Sequence, residues 1–372
     1  MKKLLSLFLA ILMIFSCFAL SVSAETDKAE EVFVFEVPTD KVDMTKTKKT
    51  EDVYIRDPCI LVYGNMYFMY GTGAATKAGY GCYVSYDLEN WAGPVNVFEA
   101  EKEENFYGID NYWAPECYYY NGAFYLFATY KSSKNNHRGV SVMKSDSPLG
   151  PFHEITDGHI TPEDWDAIDG TLYIDKNGEP WMIFVHEWTS MPDGVGDMSY
   201  AKLSEDLTSF TTEPVTMFKA NEPFWTFNNI TDGPCPYRTK DGSLIMLWSN
   251  NIPTSGYSVG IARSDNGEIN GNWTHELTPL YTEGKYHALD GGHGMIFETL
   301  DGRLMLSIHS PNESTEENMT HAVFLELEDT GSTLQIKSEA EKPGYFFYKA
   351  GLFFKYLWLQ IERFFEHLLG IK

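Results

Sequence analysis

Residues 291–310 read GGHGMIFETLDGRLMLSIHS: two glycines, a histidine and a third glycine, then an apolar run, an Asp301-Gly302 turn and a second apolar run. An Asp-Gly pair between alternating apolar stretches is a strong hairpin signal. The lead-in is unusual, because His293 starts a strand among residues with almost no side-chain bulk. Four other stretches repeat the pattern: RDPCILVYGNMYFMYGTG at 56–73, WAPECYYYNGAFYLFATY at 113–130, IDGTLYIDKNGEPWMIFVHEW at 168–188 and TDGPCPYRTKDGSLIMLWSN at 231–250. Each places a polar or charged residue beside Gly or Pro, then a short apolar strand, a turn containing Gly and a second apolar strand. Asp57, Glu116, Asp169, Asp232 and His293 mark the repeats, at spacings of 59, 53, 63 and 61 residues. A third strand-like element follows each pair.

Self-similarity at a near-fixed period is the signature of a repeat architecture. Three or four short strands per repeat make one blade of a β-propeller, and no blade can bury its apolar faces without neighbours. The expected fold is therefore all-β, a five-bladed β-propeller. A β-sandwich with regular hairpins is the alternative, and five matching modules in register argue against it. Innermost strands crowd a propeller axis, where glycines let the backbone come close. The few side chains at the strand starts then converge, and four of the five markers are carboxylates.

The 372 residues carry a formal net charge of −25. Residues 1–24, with two lysines, an apolar core and a small-residue V-S-A end, read as a secretory signal peptide; Cys17 lies inside it. Its removal would leave −27, which argues against a nucleic-acid partner and suits a secreted protein. Cys59, Cys82, Cys117 and Cys235 remain, an even count that permits disulfides, although small buried thiols are the commoner state on inner strands. No zinc spacing, nucleophile elbow, phosphate-binding loop or dinucleotide fingerprint is present. Residues 25–50 read as a strand closing the propeller ring followed by a linker, and residues 51–336 as the propeller.

The motifs RDPCI, WAPECYYYNGAFYLF, IDGTLYIDKNGEPWMIF and GGHGMIF, in this order over residues 50–335, resemble the five-bladed glycoside hydrolases of family 43. That resemblance implies a secreted hydrolase of arabinose- or xylose-containing glycans, working with inversion. It implies that Asp57 is the general base and that Asp169 tunes and orients the acid. The family's acid is a Glu in E-G-P; here the motif is TDGP, so Asp232 stands at the acid position. Glu187, between His186 and Trp188, is the alternative acid. Glu116 matches an architectural position. His293 matches a histidine that faces the axial channel and often holds a calcium or sodium ion, largely through water; no cofactor is otherwise required. Trp113, Trp188 and Trp225 are candidate platforms for sugar stacking, although with 15% aromatic residues most belong to the core. His309 reads as structural.

The chemistry explains the residue types. Inverting hydrolysis needs one carboxylate to activate water and one carboxylic acid to protonate the leaving oxygen, roughly 6.5–9.5 Å apart. A third carboxylate beside the acid keeps it protonated. Two other functions compete. A propeller without its acid would be a glycan-binding module, for which TDGP speaks. A retaining β-fructosidase would also carry R-D-P and a Glu-Cys such as Glu116-Cys117, but the Asn-Asp-Pro nucleophile expected before Asp57 is missing.

Residues 343–372 differ in kind. Phe353, Leu357, Phe364 and Leu368 recur at helical spacing, and the longest uncharged run, Tyr356–Ile361, is far below the roughly 20 residues a membrane span needs. Lys349, Lys355, Arg363 and Lys372 outweigh Glu362 and Glu366. Such an amphipathic helix suits the headgroup region of an anionic membrane, or a place against the propeller wall. A monomer is expected.

Overall fold

The computed structural model describes residues 34–252, 255–337 and 345–369; the expected signal peptide lies outside them. Five antiparallel sheets follow one another along the chain. Blade one contains Arg56–Tyr63, Met66–Thr72, Gly79–Ser85 and Asn90–Glu99; blade two contains Gly108–Tyr120, Ala123–Ser132, Arg138–Ser145 and His153–Glu154. Blade three contains Ala167–Ile174, Pro180–His186, Asp197–Lys202 and Val215–Lys219; blade four Asp232–Arg238, Leu244–Ile252, Gly256–Ser264 and Trp273–His275; blade five Gly292–Glu298, Leu304–Ser310, His321–Asp329 and Leu334–Ile336. The all-β five-bladed propeller expected from the repeats is the observed fold.

The second and third strands of blade one are covered on both faces, so Met66–Thr72 and Gly79–Ser85 read as nearly unbroken apolar runs. The hairpin turns follow their sequence signals: Asn121 and Gly122 both have positive φ, as a primed two-residue turn requires. Because the strands alternate in direction, the starts of the five inner strands and the loops between second and third strands share one face. That face is the mouth.

One backbone feature repeats in all five blades. The inner strand bulges after Arg56, Trp113, Ile168, Asp232 and Gly292, which pair with Thr72, Thr129, Val185, Ser249 and His309. The bulged residues are Asp57, Ala114, Asp169, Gly233 and His293, with φ of 53°, 38°, 55°, 55° and 52°. Asp and His tolerate this left-handed region better than most side chains, and a bulge re-aims its side chain. Two markers chosen from the sequence thus sit off the repeat: Glu116 lies two residues beyond Ala114, and Asp232 one before Gly233.

Among the described residues no N-terminal strand closes the ring, and residues 25–33 of the expected closing segment lie outside them. In the described part of that segment, Thr47–Lys49 adds a fifth strand to the outer edge of blade one. Phe35 stacks edge-on against Phe68, with ring centroids 5.4 Å apart, and its N–H donates to Asn65 Oδ1. All four strands of blade five come from the C-terminal part of the propeller. Blades five and one are joined instead by specific bonds, among them Ser307 Oγ to Pro58 O (2.7 Å) and Ile55 N to Thr320 O (3.3 Å).

Cys59, Cys82, Cys117 and Cys235 are buried free thiols. The C-terminal helix spans Tyr345–Leu369 and docks through Leu359, which is buried in the core of blades three and four. Gln360 Nε2 donates to Phe224 O, and Lys355 Nζ to Ser255 Oγ. This docked side is one that the sequence spacing had left partly polar, whereas Phe364 and Leu368 of the expected apolar stripe are exposed, as are Trp358, Phe365 and Leu369. No described helix is long and apolar enough to cross a membrane.

Candidate active site

The repeated bulge builds the site. Each bulge frees a backbone N–H near the axis, and the second strand of the preceding blade supplies its acceptor. Asp57 N–H donates to His309 Nδ1 (3.0 Å), Ala114 N–H to Thr72 Oγ1 (2.7 Å), Asp169 N–H to Thr129 Oγ1 (3.1 Å) and His293 N–H to Ser249 Oγ (2.8 Å). Blade three breaks the series, because Val185 occupies that register and has nothing to accept with. The Gly233 N–H turns to Asp169 Oδ2 instead, at 2.9 Å. One apolar residue in the series therefore ties Asp169 to the strand that carries Asp232.

His293 joins the rest. Its Nδ1 lies 3.3 Å from Asp57 Oδ1 and 3.8 Å from Asp169 Oδ2, so Asp57 and Asp169 flank one ring nitrogen. Thr72 Oγ1 donates to the other oxygen of Asp57 at 2.6 Å. Burial opposes a charge on Asp57, but His293, with His309 and Thr72, outweighs it and holds this carboxyl well below the ordinary aspartate range. Asp57 is thus the carboxyl of the site whose charged form is favoured.

Asp169 and Asp232 are driven the other way. Burial, then the charge of Asp57, pushes Asp169 up to about 8, against the Gly233 N–H that lowers it. Burial, then Asp169, pushes Asp232 up to about 7, against His293 and the Tyr257 hydroxyl, which donates to Asp232 Oδ2 at 2.9 Å. Two such close acids titrate as a unit; near neutral pH the pair retains a proton. Asp169 is buried, whereas Asp57 and Asp232 are only partly so and open toward the mouth. A ligand entering there meets an ionised carboxyl from blade one and, from blades three and four, a pair that retains a proton.

The histidines differ in role. Arg56 and His309 Nε2 both reach Asn312 Oδ1, at 3.1 and 3.2 Å. His309 Nδ1 meets Asp57 twice, taking its backbone N–H at 3.0 Å and lying 3.2 Å from its Oδ1. His309 is thus structural, as its sequence context suggests, and also stands directly beneath Asp57. His293 turns Nδ1 toward the carboxylates, and its buried Nε2 has no protein partner. An unpartnered buried nitrogen of this kind fits a water, or an ion reached through water. No cluster of three or more metal-ligating side chains occurs among the described residues.

Glu187 lies at the end of the second strand of blade three. Burial raises its pKa, Arg138 opposes that, and the Arg138 Nε–H is bonded to Glu187 Oε2. Arg138 also bonds Thr189 Oγ1 and sits 5.7 Å above the Trp113 ring. Burial outweighs Arg138, so the net shift of Glu187 is upward, but the guanidinium occupies Oε2 and ties the carboxyl in place. Trp113 is half-buried beside this group and Trp188 is exposed. Trp225 cannot stack on a sugar, because it is fully buried against Trp248 and above Gly260, where a Cβ would meet its ring at 2.2 Å. Glu116 is buried below the site, bonded to Tyr118 and to Thr171 Oγ1 (2.9 Å), with burial pushing it up to about 8. Tyr257 was not singled out by the sequence. Only its place after the turn of blade four, immediately after Ser255-Gly256, hints at the mouth.

A five-bladed propeller with carboxylates of opposed protonation at its axis is a glycosidase-like arrangement. Residues 52–328 match Glycosyl hydrolases family 43, and the chain belongs to that family. It is similar to an endo-arabinase from Bacteroides thetaiotaomicron VPI-5482, with 37% identity and a TM-score of 0.69, covering 77% of this chain and 99% of that one. It is also 27% identical over 183 residues to the extracellular endo-α-(1→5)-L-arabinanase 1 of Bacillus subtilis (strain 168), covering 47% of this chain and 56% of that protein. Over 172 residues it is 29% identical to the extracellular exo-α-(1→5)-L-arabinofuranosidase of Cellvibrio japonicus (strain Ueda107), covering 42% and 46%. The aligned stretches span about half the length of these two extracellular relatives.

Proposed function

We propose that the protein is a secreted, inverting glycoside hydrolase of α-(1→5)-linked arabinan. The opposed protonation of Asp57 and of the Asp169–Asp232 pair around one imidazole carries this reading, and the likeness to the endo-arabinase supports the substrate class. Asp57, favoured in its charged form, takes a proton from a water as that water attacks the anomeric carbon. Asp232, opening toward the ligand, gives its proton to the departing glycosidic oxygen. Asp169 holds the Gly233 backbone behind the acid, and its own charge raises the cost of ionising Asp232. Trp113 and Trp188 offer faces for the sugar. A calcium or sodium ion, where bound, would be held through water on His293 Nε2 and would supply positive potential on the axis.

Release of reducing ends from linear arabinan, with product length read by chromatography and anomeric configuration by NMR, tests the reading. Nitrophenyl arabinofuranoside, xyloside and galactoside serve as comparisons. Arabinan hydrolysis with inverted products is expected; faster xylan or xyloside turnover would reassign the sugar. Arabinan binding without bond cleavage would make the protein a glycan-binding module.

The C-terminal helix is assigned in this reading to the membrane surface. Its Leu359 side is taken up by the propeller, while Trp358, Phe364, Phe365, Leu368 and Leu369 remain exposed, an apolar and aromatic surface suited to the headgroup boundary. The mature protein should float with anionic liposomes, and removal of residues 343–372 should abolish flotation. Unchanged flotation with a lowered melting temperature would mean that the segment is a cover for blades three and four.

A further inference from the structure

We propose that Tyr257 is a positioning residue for the general acid, holding the Asp232 carboxyl in its productive orientation through a hydroxyl fixed between blades four and five. The proposal rests on Asp232 being the acid. Four contacts fix the tyrosine. Its hydroxyl donates to Asp232 Oδ2 at 2.9 Å, and its backbone N–H donates to Asp290 Oδ2 at 3.0 Å. Its ring stacks on His309, with centroids 5.4 Å apart and planes at 23°. The fourth contact is a close approach that only glycine allows, since a Cβ on Gly292 would lie 2.4 Å from the ring. The residue is almost wholly buried, so the hydroxyl has little freedom to leave Asp232.

This arrangement answers a problem set by the sequence. Aspartate is one methylene shorter than the glutamate that the resemblance leads one to expect, and a misplacement of about 1 Å can cost on the order of 100-fold in rate. A short acid therefore depends on what orients it. On Asp232, Oδ2 is engaged by Tyr257, which leaves Oδ1 for the proton to be delivered. The groups facing Asp232 are Asp169 and Glu187 from blade three, His293 from blade five and Tyr257 from its own blade. Of these, Tyr257 is the one hydrogen-bonded to the carboxyl. Through His309 the same ring also backs the residue beneath Asp57, so a single side chain spans the support of acid and base.

Tyr257→Phe removes the hydroxyl and keeps the ring on His309. Turnover of arabinan, whose leaving group needs a proton, should fall roughly 10- to 100-fold, with KM little changed. Hydrolysis of nitrophenyl arabinofuranoside should fall far less, because its leaving group hardly needs protonation. In an Asp232→Asn background the same substitution should have no further effect on arabinan, since it acts through that carboxyl. Equal losses on both substrates, or full additivity in the double variant, would overturn the proposal. If Asp232→Asn alone leaves arabinan turnover intact, the acid assignment fails instead, and the two failures are told apart. Tyr257→Leu, which also empties the ring site, should add a loss of melting temperature that Tyr257→Phe does not show.

Discussion

Asp57→Asn should lower arabinan turnover by roughly 100- to 10,000-fold, the range expected when a general base is removed, and the fold should survive. The amide keeps the size of the carboxyl and can still accept from Thr72 Oγ1 and face His293 Nδ1. What it cannot do is take a proton from water. Activated aryl substrates should not rescue this variant, because water attack is needed whatever the leaving group. The pH profile of the unmodified protein follows from the same site. Asp57 is held far down, so the acid limb of kcat/KM should lie well below the ordinary aspartate range. The basic limb reports loss of the proton from the Asp169–Asp232 pair, raised to about 8 and about 7, so activity should fall as pH rises through that region. Stability carries a matching sign. A carboxyl with a depressed folded pKa stabilises above its unfolded value and loses that contribution as pH falls through the folded one. Any melting-temperature gap between unmodified protein and Asp57→Asn should therefore narrow below about pH 4. Near-normal turnover in the variant would remove Asp57 from the mechanism.

The architecture was legible because each blade repeats a strong local signal. Turn residues such as Asn121-Gly122 and Asp301-Gly302 bracket apolar strands, and five such modules leave few folds open. What misled was marking the repeats by charge. The backbone equivalence runs through Asp57, Ala114, Asp169, Gly233 and His293, each followed by Pro or Gly, and two of these carry no polar side chain. A marker defined by the following Pro or Gly would have aligned all five. The N-terminal segment, described only from residue 34, is harder to read for a different reason. An alternating apolar run such as VFVFEV is compatible with a strand or with a strap, and its described end packs Phe35 on blade one without sheet pairing.

Within the site, the sequence supplied the carboxylates but not their supports. Residues far apart in sequence do the positioning: His309 beneath Asp57, Thr72 on its side chain, Tyr257 on Asp232. The most informative support is the absence of one. Val185 stands where the other four blades have Thr, Thr, Ser and His, and it is this missing acceptor that gives the Gly233 N–H to Asp169. The pattern needs the strand register to be read, and register is what a single sequence states least well. Trp225 illustrates the converse error, since an aromatic residue near a motif is as useful to a core as to a sugar.

Asp232→Asn and Glu187→Gln should separate the two carboxyls offered as the acid. If Asp232 delivers the proton, its asparagine variant should lose arabinan turnover by on the order of 100- to 10,000-fold while keeping much of its activity on an activated aryl arabinofuranoside. The difference follows from leaving-group chemistry: nitrophenolate departs without a proton, whereas a sugar alkoxide does not. Glu187→Gln should not show this split. Glu187 is held by Arg138, which also pairs with Asp166, bonds Thr189 and lies over the Trp113 ring, so its loss loosens a guanidinium at the mouth and should raise KM on both substrates alike. Geometry and charge both favour this outcome, because Asp232 is partly open toward the mouth, has its pKa raised by burial and by Asp169, and is paired with no Arg or Lys among the described residues. The reverse result, a split for Glu187→Gln and none for Asp232→Asn, would move the acid to blade three. Asp232 would then be a charge that keeps Glu187 protonated across the axis, and the glycan-binding reading of TDGP would lose its main support.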